Sequence, residues 1–243
     1  MFWTIRLPLA AITLLFTASF TKSKLPAHYK QGYTHTSKVI TSAKKLSGIE
    51  KYHQWQLDKE GIAADVFVYA MQGYQQLLQD GRLGNSKVLT LVDFSKPSIE
   101  KRLYLIDTET GKLLYKSLVA HGKNSGRLVA DFFSNQASSY ASSLGFYITA
   151  GTYQGKHGYS LRLQGCEKGI NDQAYSRAIV IHGADYVSES FIQQNGYLGR
   201  SHGCPALPAD LNNKIINEIK NGSCLFVYAP QKKYLQQSAL LNR

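Results

Sequence analysis

The segment Gly199-Arg200-Ser201-His202-Gly203-Cys204-Pro205 sets a thiol between a glycine and a proline. A cysteine so flanked begins no regular helix or strand interior. Gly203 admits unusual backbone angles and leaves room for a substrate to come close. Consecutive N–H groups at Gly203 and Cys204 are placed to meet one acceptor, as an oxyanion hole requires. Arg200 and His202, facing the sulfur, would favour thiolate, as would a helix start near Pro208. A thiol nucleophile also needs a base. His182 closes the apolar run Ala178-Ile179-Val180-Ile181 and is followed by Gly183, a placement that delivers its ring to the rim of a sheet. The 22 residues from His182 to Cys204 are enough for a connecting loop to bring the two side chains together. Cysteine and histidine so joined are the pair of thiol acyl transfer.

Other chemistry is open to the same residue types. His121, His182, His202 and Cys204 are a mixed zinc ligand set, although no close-spaced pair of the C-x-x-C or H-E-x-x-H kind accompanies them. His121 beside Gly122, with Tyr159 and Arg162 on a strand, could line a cleft. Turn packing for the histidine and a surface pair for the strand residues are the plainer readings. The three cysteines, Cys166, Cys204 and Cys224, are an odd number, so at least one thiol is unpaired. A Cys166–Cys224 disulfide and a buried Cys224 thiol both fit the sequence.

The elements that must position these groups are mostly strands. Short β-rich runs occupy 87–93, 102–107, 112–119, 144–149, 159–163, 178–181 and 224–228, with Thr110-Gly111 turning the chain between two of them. Helical spacing of Val66, Ala70, Tyr74, Leu77 and Leu78 predicts a helix over 62–78, stopped at Asp80-Gly81. A second helix is expected over 208–221, with Pro208 and Asp210 in its first turn and Gly222 at its end. Many strands and few helices make a β-rich α+β fold with a preceding N-terminal helix. With 44% hydrophobic and 18% charged residues the chain can build a packed core, so wholesale disorder is excluded.

The formal net charge of +12 suits an acidic polymer, an anionic membrane or nucleic acid. The lysines and arginines are scattered, with no dense run interleaved with aromatics, so nucleic acid is set aside. Arg6, the apolar stretch from Leu7 to Ala18, then small residues and a lysine-containing polar stretch follow the order of a secretory signal peptide. The apolar stretch is shorter than the ~20 residues that cross a bilayer. The expected organisation is a signal peptide at 1–20, a loosely ordered lead-in at 21–60, the N-terminal helix at 61–84, a catalytic domain at 85–230 and a tail at 231–243. The membrane enters only through the signal segment, and the mature chain is expected in the periplasm or cell envelope.

Ile181-His182-Gly183 followed by Ser201-His202-Gly203-Cys204 resembles the active-site signature of the YkuD-type L,D-transpeptidases. His121-Gly122-Lys123-Asn124-Ser125-Gly126 and Tyr153-Gln154-Gly155-Lys156-His157-Gly158-Tyr159 are similar to a distinct branch, the murein L,D-transpeptidase catalytic domain family. The likeness runs from about Lys87 to Pro230. It implies the YkuD-like catalytic fold, Cys204 as nucleophile and His182 as base, and a backbone carbonyl as the group that orients His182. It also implies that Ser201, His202 and Gly203 shape the loop, with Gly183, Arg200, His121 and Tyr159 as further substrate contacts. The implied substrates are peptidoglycan stem peptides, attacked through a thioester without metal or cofactor, with a wall-linked lipoprotein as a further partner class. Two positions depart from the family pattern. Ala206 stands where the family has Asn, and Ser143-Leu144 stands where it has Thr-Pro. Crosslinking, hydrolysis of the same bonds by a carboxypeptidase, amidase or endopeptidase, and a non-catalytic wall-binding module therefore all stay open on sequence.

Overall fold

In the computed structural model residues 43–242 are described, and the signal-peptide reading and the lead-in up to residue 42 lie outside them. Two helices open this part, α1 (Ala43–Gln54) and α2 (Ala64–Gln79). Three strands follow as an antiparallel meander, β1 (Val88–Asp93), β2 (Leu103–Asp107) and β3 (Leu113–Ser117). The long hairpin β4 (Gly145–Gly155) and β5 (Gly158–Gly165) leads to β6 (Val180–Gly183). Then come α3 (Glu189–Asn195), the two-residue β7 (Ala206–Leu207), α4 (Ala209–Ile219), β8 (Cys224–Tyr228) and α5 (Lys232–Gln237).

One eight-stranded mixed sheet joins them in the order β3-β2-β1-β8-β4-β5-β6-β7. The last strand in sequence is thus interior: β8 runs parallel to β1, with Leu91 opposite Phe226, and antiparallel to β4, with Phe146 opposite Phe226. Every residue of β1 and of β8 is buried. Strands covered on both faces lose alternation and read as continuous apolar runs. The cover comes from α2, packed on β1 and β8, and from α4, packed on β1, β5 and β6. Gly73 lets α2 lie directly on the sheet, because a Cβ there would stand 2.0 Å from the Phe146 ring. That ring in turn stacks on Phe226 with centroids 4.2 Å apart.

The structure extends the ordered part beyond the sequence reading. The expected lead-in ending at residue 60 contains α1, and Tyr52 and Leu57 are buried there, with the Tyr52 hydroxyl donating to the Ile62 carbonyl at 2.9 Å. The expected tail carries α5, pinned by Tyr234 and Ser238, whose hydroxyls donate to the buried carboxylate of Glu167. Among the described residues no helix is long and apolar enough to cross a membrane.

Candidate active site

The loop that carries the thiol is held from both sides. Ser201 N–H donates to the His121 carbonyl at 3.0 Å and Lys123 N–H to the Ser201 carbonyl at 2.8 Å. Within the loop, Ser201 Oγ donates to the Cys204 carbonyl at 2.7 Å and accepts from Gly203 N–H at 3.0 Å. Gly203 has φ +123°, and a Cβ on it would lie 2.8 Å from the Ala141 carbonyl oxygen, so glycine is required for both angle and space. Because the Gly203 N–H is occupied by Ser201, it is not a free oxyanion donor. The Cys204 N–H makes no hydrogen bond among the described residues and is the loop donor that remains.

Cys204 is partly buried at the edge of β6. Its Sγ accepts from Val180 N–H at 3.5 Å and lies 3.8 Å from the Ala178 carbonyl oxygen, to which the thiol donates. Ala178 holds φ +54°, an uncommon left-handed setting for a residue with a Cβ. Burial raises the thiol above its ordinary pKa, while Val180 N–H and the positive charge of Arg177 pull it down.

His182 lies two residues after Val180 on the same strand, so the two side chains share a face. It pairs with Ala206 across the parallel β6–β7 ladder, two residues past the cysteine. Nδ1 is 2.9 Å from the Gly183 carbonyl oxygen, a contact in which the nitrogen carries the proton. Nε2 makes no hydrogen bond among the described residues. Burial lowers the imidazole pKa, the Gly183 carbonyl raises it, and neighbouring His157 lowers it further. The first turn of α4 meets Gly183 beside this histidine. A Cβ on Gly183 would lie 3.3 Å from Ala209 Cα, so the helix start expected near Pro208 sits on the His182 side of the site.

A cleft of about 560 Å³ opens at this end, lined in part by His157, Tyr159, Gly183, Tyr186, Asn212 and Asn213. His157, at the tip of the β4–β5 hairpin, covers His182 with ring centroids 4.6 Å apart and planes tilted by 30°. Tyr186 links cleft and thiol: burial and the charge at Cys204 push its hydroxyl up to about 12. Tyr159 sits in the cleft wall, its hydroxyl 3.3 Å from Asn217 Oδ1.

The other sequence candidates are placed differently. His121 is fully buried: Nδ1 accepts from Arg102 Nη2 at 2.8 Å and Nε2 faces the Gly126 carbonyl at 3.3 Å. Burial and the Arg102 charge hold it down to about 3, so it is a neutral brace. Only its backbone carbonyl reaches the motif loop. Arg200 is a tether as well, donating from Nη1 to the carbonyls of Lys123 at 3.1 Å and Gly126 at 3.0 Å. His202 is exposed, edge-on to Tyr140 at 4.6 Å. Cys166 and Cys224 are both free thiols, with Cys224 fully buried in β8. Among the described residues no group of three or more His, Cys, Asp or Glu side chains is gathered in metal-binding geometry. Arg177 and Tyr186 are the neighbours that sequence reasoning did not assign, and His157 entered it only within the Tyr153-to-Tyr159 segment. Their proximity to Cys204 or His182 is created by the fold and has no signature in spacing.

Residues 58–228 match the family model of the L,D-transpeptidase catalytic domain. No curated protein matches the sequence. Similar solved structures include an L,D-transpeptidase from Mycobacterium smegmatis, at 15% identity over 59% of each chain with a TM-score of 0.37. Another is an L,D-transpeptidase from Stackebrandtia nassauensis, at 15% identity over 78% of this chain and 79% of that one, with a TM-score of 0.36. The match to the Mycobacterium smegmatis structure thus spans less than two thirds of its length.

Proposed function

Because the chain belongs to the L,D-transpeptidase catalytic domain family, we propose that it is an exported cysteine acyltransferase that remodels peptidoglycan stem peptides in the periplasm. The observation that carries this reading is the arrangement on β6. Sγ of Cys204 rests on the Val180 N–H, and His182, two residues on, has Nδ1 committed to the Gly183 carbonyl. With the proton on Nδ1, Nε2 presents the lone pair of a general base.

In the proposed reaction Nε2 takes the thiol proton as Sγ attacks the carbonyl carbon at the L-centre of diaminopimelate in a tetrapeptide stem. The oxyanion that forms is stabilised by the Cys204 N–H. Collapse breaks the bond to the terminal D-alanine, and Nε2 returns the proton to the departing amine, leaving a thioester on Cys204. The amine of a second diaminopimelate then attacks the thioester, forms the crosslink and restores the thiol. Water in place of that amine makes the same enzyme an L,D-carboxypeptidase. A lysine amine of a wall-linked lipoprotein would make it an anchoring enzyme. The basic surface, with 28 lysines and arginines against 16 acids, favours an acidic stem.

The test is incubation of purified protein with tetrapeptide stems, read by mass spectrometry of protein and products. A thioester on Cys204, release of D-alanine and a crosslinked dimer are expected, and Cys204→Ala should abolish all three. Released D-alanine without dimer would assign hydrolysis. Turnover that persists in Cys204→Ala, or wild-type protein that neither acylates nor changes the stems, would refute the proposal.

A further inference from the structure

Arg177 precedes the two residues that lead into β6, and its guanidinium is enclosed by neutral acceptors. Nη1 donates to the Ser134 carbonyl at 2.7 Å and to Ser143 Oγ at 2.6 Å. Nη2 donates to the Ala141 carbonyl at 2.8 Å and to Ser139 Oγ at 3.2 Å. Four hydrogen bonds fix the position of the cation, and none of them brings a negative charge. The guanidinium also abuts the motif loop: Nη2 would be 3.4 Å from a Cβ built on Gly203, the residue before the cysteine. Arg177 is thus a fixed, un-neutralised cation beside a partly buried thiol.

We propose that Arg177 is a positioning residue for the nucleophile, a fixed charge that stabilises the Cys204 thiolate as His182 removes its proton. The inference rests on the reading of Cys204 as the reactive thiol and adds a residue that the motif does not contain. Its physical logic follows from the cradle. The protonated thiol is served by the Ala178 carbonyl, which accepts S–H. Once the proton leaves, that carbonyl repels the sulfur, and what remains to hold the anion is the Val180 N–H and the Arg177 charge. A guanidinium stays protonated throughout, so it can stabilise a transient anion without exchanging protons with it. The backbone between Arg177 and Val180 carries both functions because Ala178 adopts its left-handed turn. Tyr186, after β6, is the other ionisable group coupled to the sulfur, and the surrounding elements also carry His182 on β6 and His202 and Arg200 on the loop. Tyr186 is held neutral by burial and by the thiolate charge. His182 is held neutral by burial. His202 is exposed against Tyr140. Arg200 is committed to the Lys123 and Gly126 carbonyls, which leaves Arg177 as the fixed cation set against the sulfur.

The experiment is alkylation of Cys204 by iodoacetamide across a pH series, read by peptide mass so that Cys166 and Cys224 do not contribute. It needs no peptidoglycan. A protein that alkylates as expected yet leaves tetrapeptide stems untouched would keep this inference and sink the proposed function. Arg177→Met should slow alkylation at about pH 8 by on the order of tenfold, the lower end of what a nearby opposite charge does to an ionisable group. Arg177→Lys, which keeps the charge and loses the fork, should restore most of the rate. Should Arg177→Met fail to fold, Ser139→Asp decides. That residue is only partly buried, its Oγ already accepts from Nη2, and a carboxylate there would neutralise the guanidinium in place. Ser139→Asp should slow alkylation several-fold. Unchanged rates in folded Arg177→Met or Ser139→Asp, or a loss in Arg177→Lys as large as in Arg177→Met, would overturn the proposal.

Discussion

Burial acts on both side chains of the proposed pair in the direction of neutrality: it lowers His182 and raises Cys204. The resting pair is then thiol and imidazole rather than thiolate and imidazolium, and the proton moves during attack. For a base the sign is direct. A lowered pKa keeps His182 unprotonated, and so able to accept, at pH values below its ordinary 6.5. The acid limb of the acylation profile should accordingly fall below pH 6.5 when rates are followed by intact-protein mass. An acid limb above 6.5 would show that the imidazole is not buried as described. His182→Ala should slow acylation by a factor on the order of 10²–10⁴, the range of a positioned acid–base group, while His202→Ala, exposed on Tyr140, should cost less. At this scale the contiguous loop motif and the His-Gly step were enough to single out Cys204 and His182 as the candidate pair, and a backbone carbonyl does sit on His182, at Nδ1. Arg177 was not legible, since it reaches the sulfur through space from 27 residues away. The brace role of His121 was also hidden, because its partner Arg102 lies on a different strand-to-loop junction.

Among the elements, those with a strong periodic pattern were the readable ones. Val66, Ala70, Tyr74 and Leu77 lie on the buried face of α2, as their spacing predicts, whereas Leu78, counted in the same stripe, is exposed at the last turn. The continuous apolar runs of β1 and β8 correspond to strands covered on both faces. Elements that bury little were invisible. In α1 the helix contains Ser47 and Gly48, both weak helix formers, and its ordering comes from tertiary contacts such as Tyr52. The short α3 depends on a local cap, Ser188 Oγ accepting from Phe191 N–H at 3.3 Å, and presents no buried side. β4 runs on to Gly155 through mostly exposed residues, because its partner β5 continues the ladder where the core no longer does. The close approach of α2 to the sheet at Gly73 gives a stability prediction. Gly73→Ala must push α2 off the Phe146 ring, and overpacking of this kind costs about 1–3 kcal/mol. Urea unfolding monitored by circular dichroism should show that loss. Unchanged stability would mean that the helix can shift away from the sheet freely.

For the whole molecule, the feature that no pattern in the sequence announces is the position of β8. Its apolar run marks an interior strand, but nothing in it names β1 on one side and β4 on the other. The arrangement makes β8, which follows the other seven strands in sequence, the piece that joins the two parts of the sheet. A protein stopped at Gly222 would hold β3-β2-β1 and β4-β5-β6-β7 as two pieces with no strand between them. Such a chain should fail to unfold cooperatively in urea, and a sharp two-state transition in it would show that the halves associate without β8. In the intact protein the same wiring governs timing. The strand that joins the halves is the last to be synthesised, so during most of its synthesis the chain lacks the piece that completes its tertiary structure. If the chain is exported as proposed, its sheet can close only after β8 has crossed the membrane, because β1 and β4 have no partner in common until then.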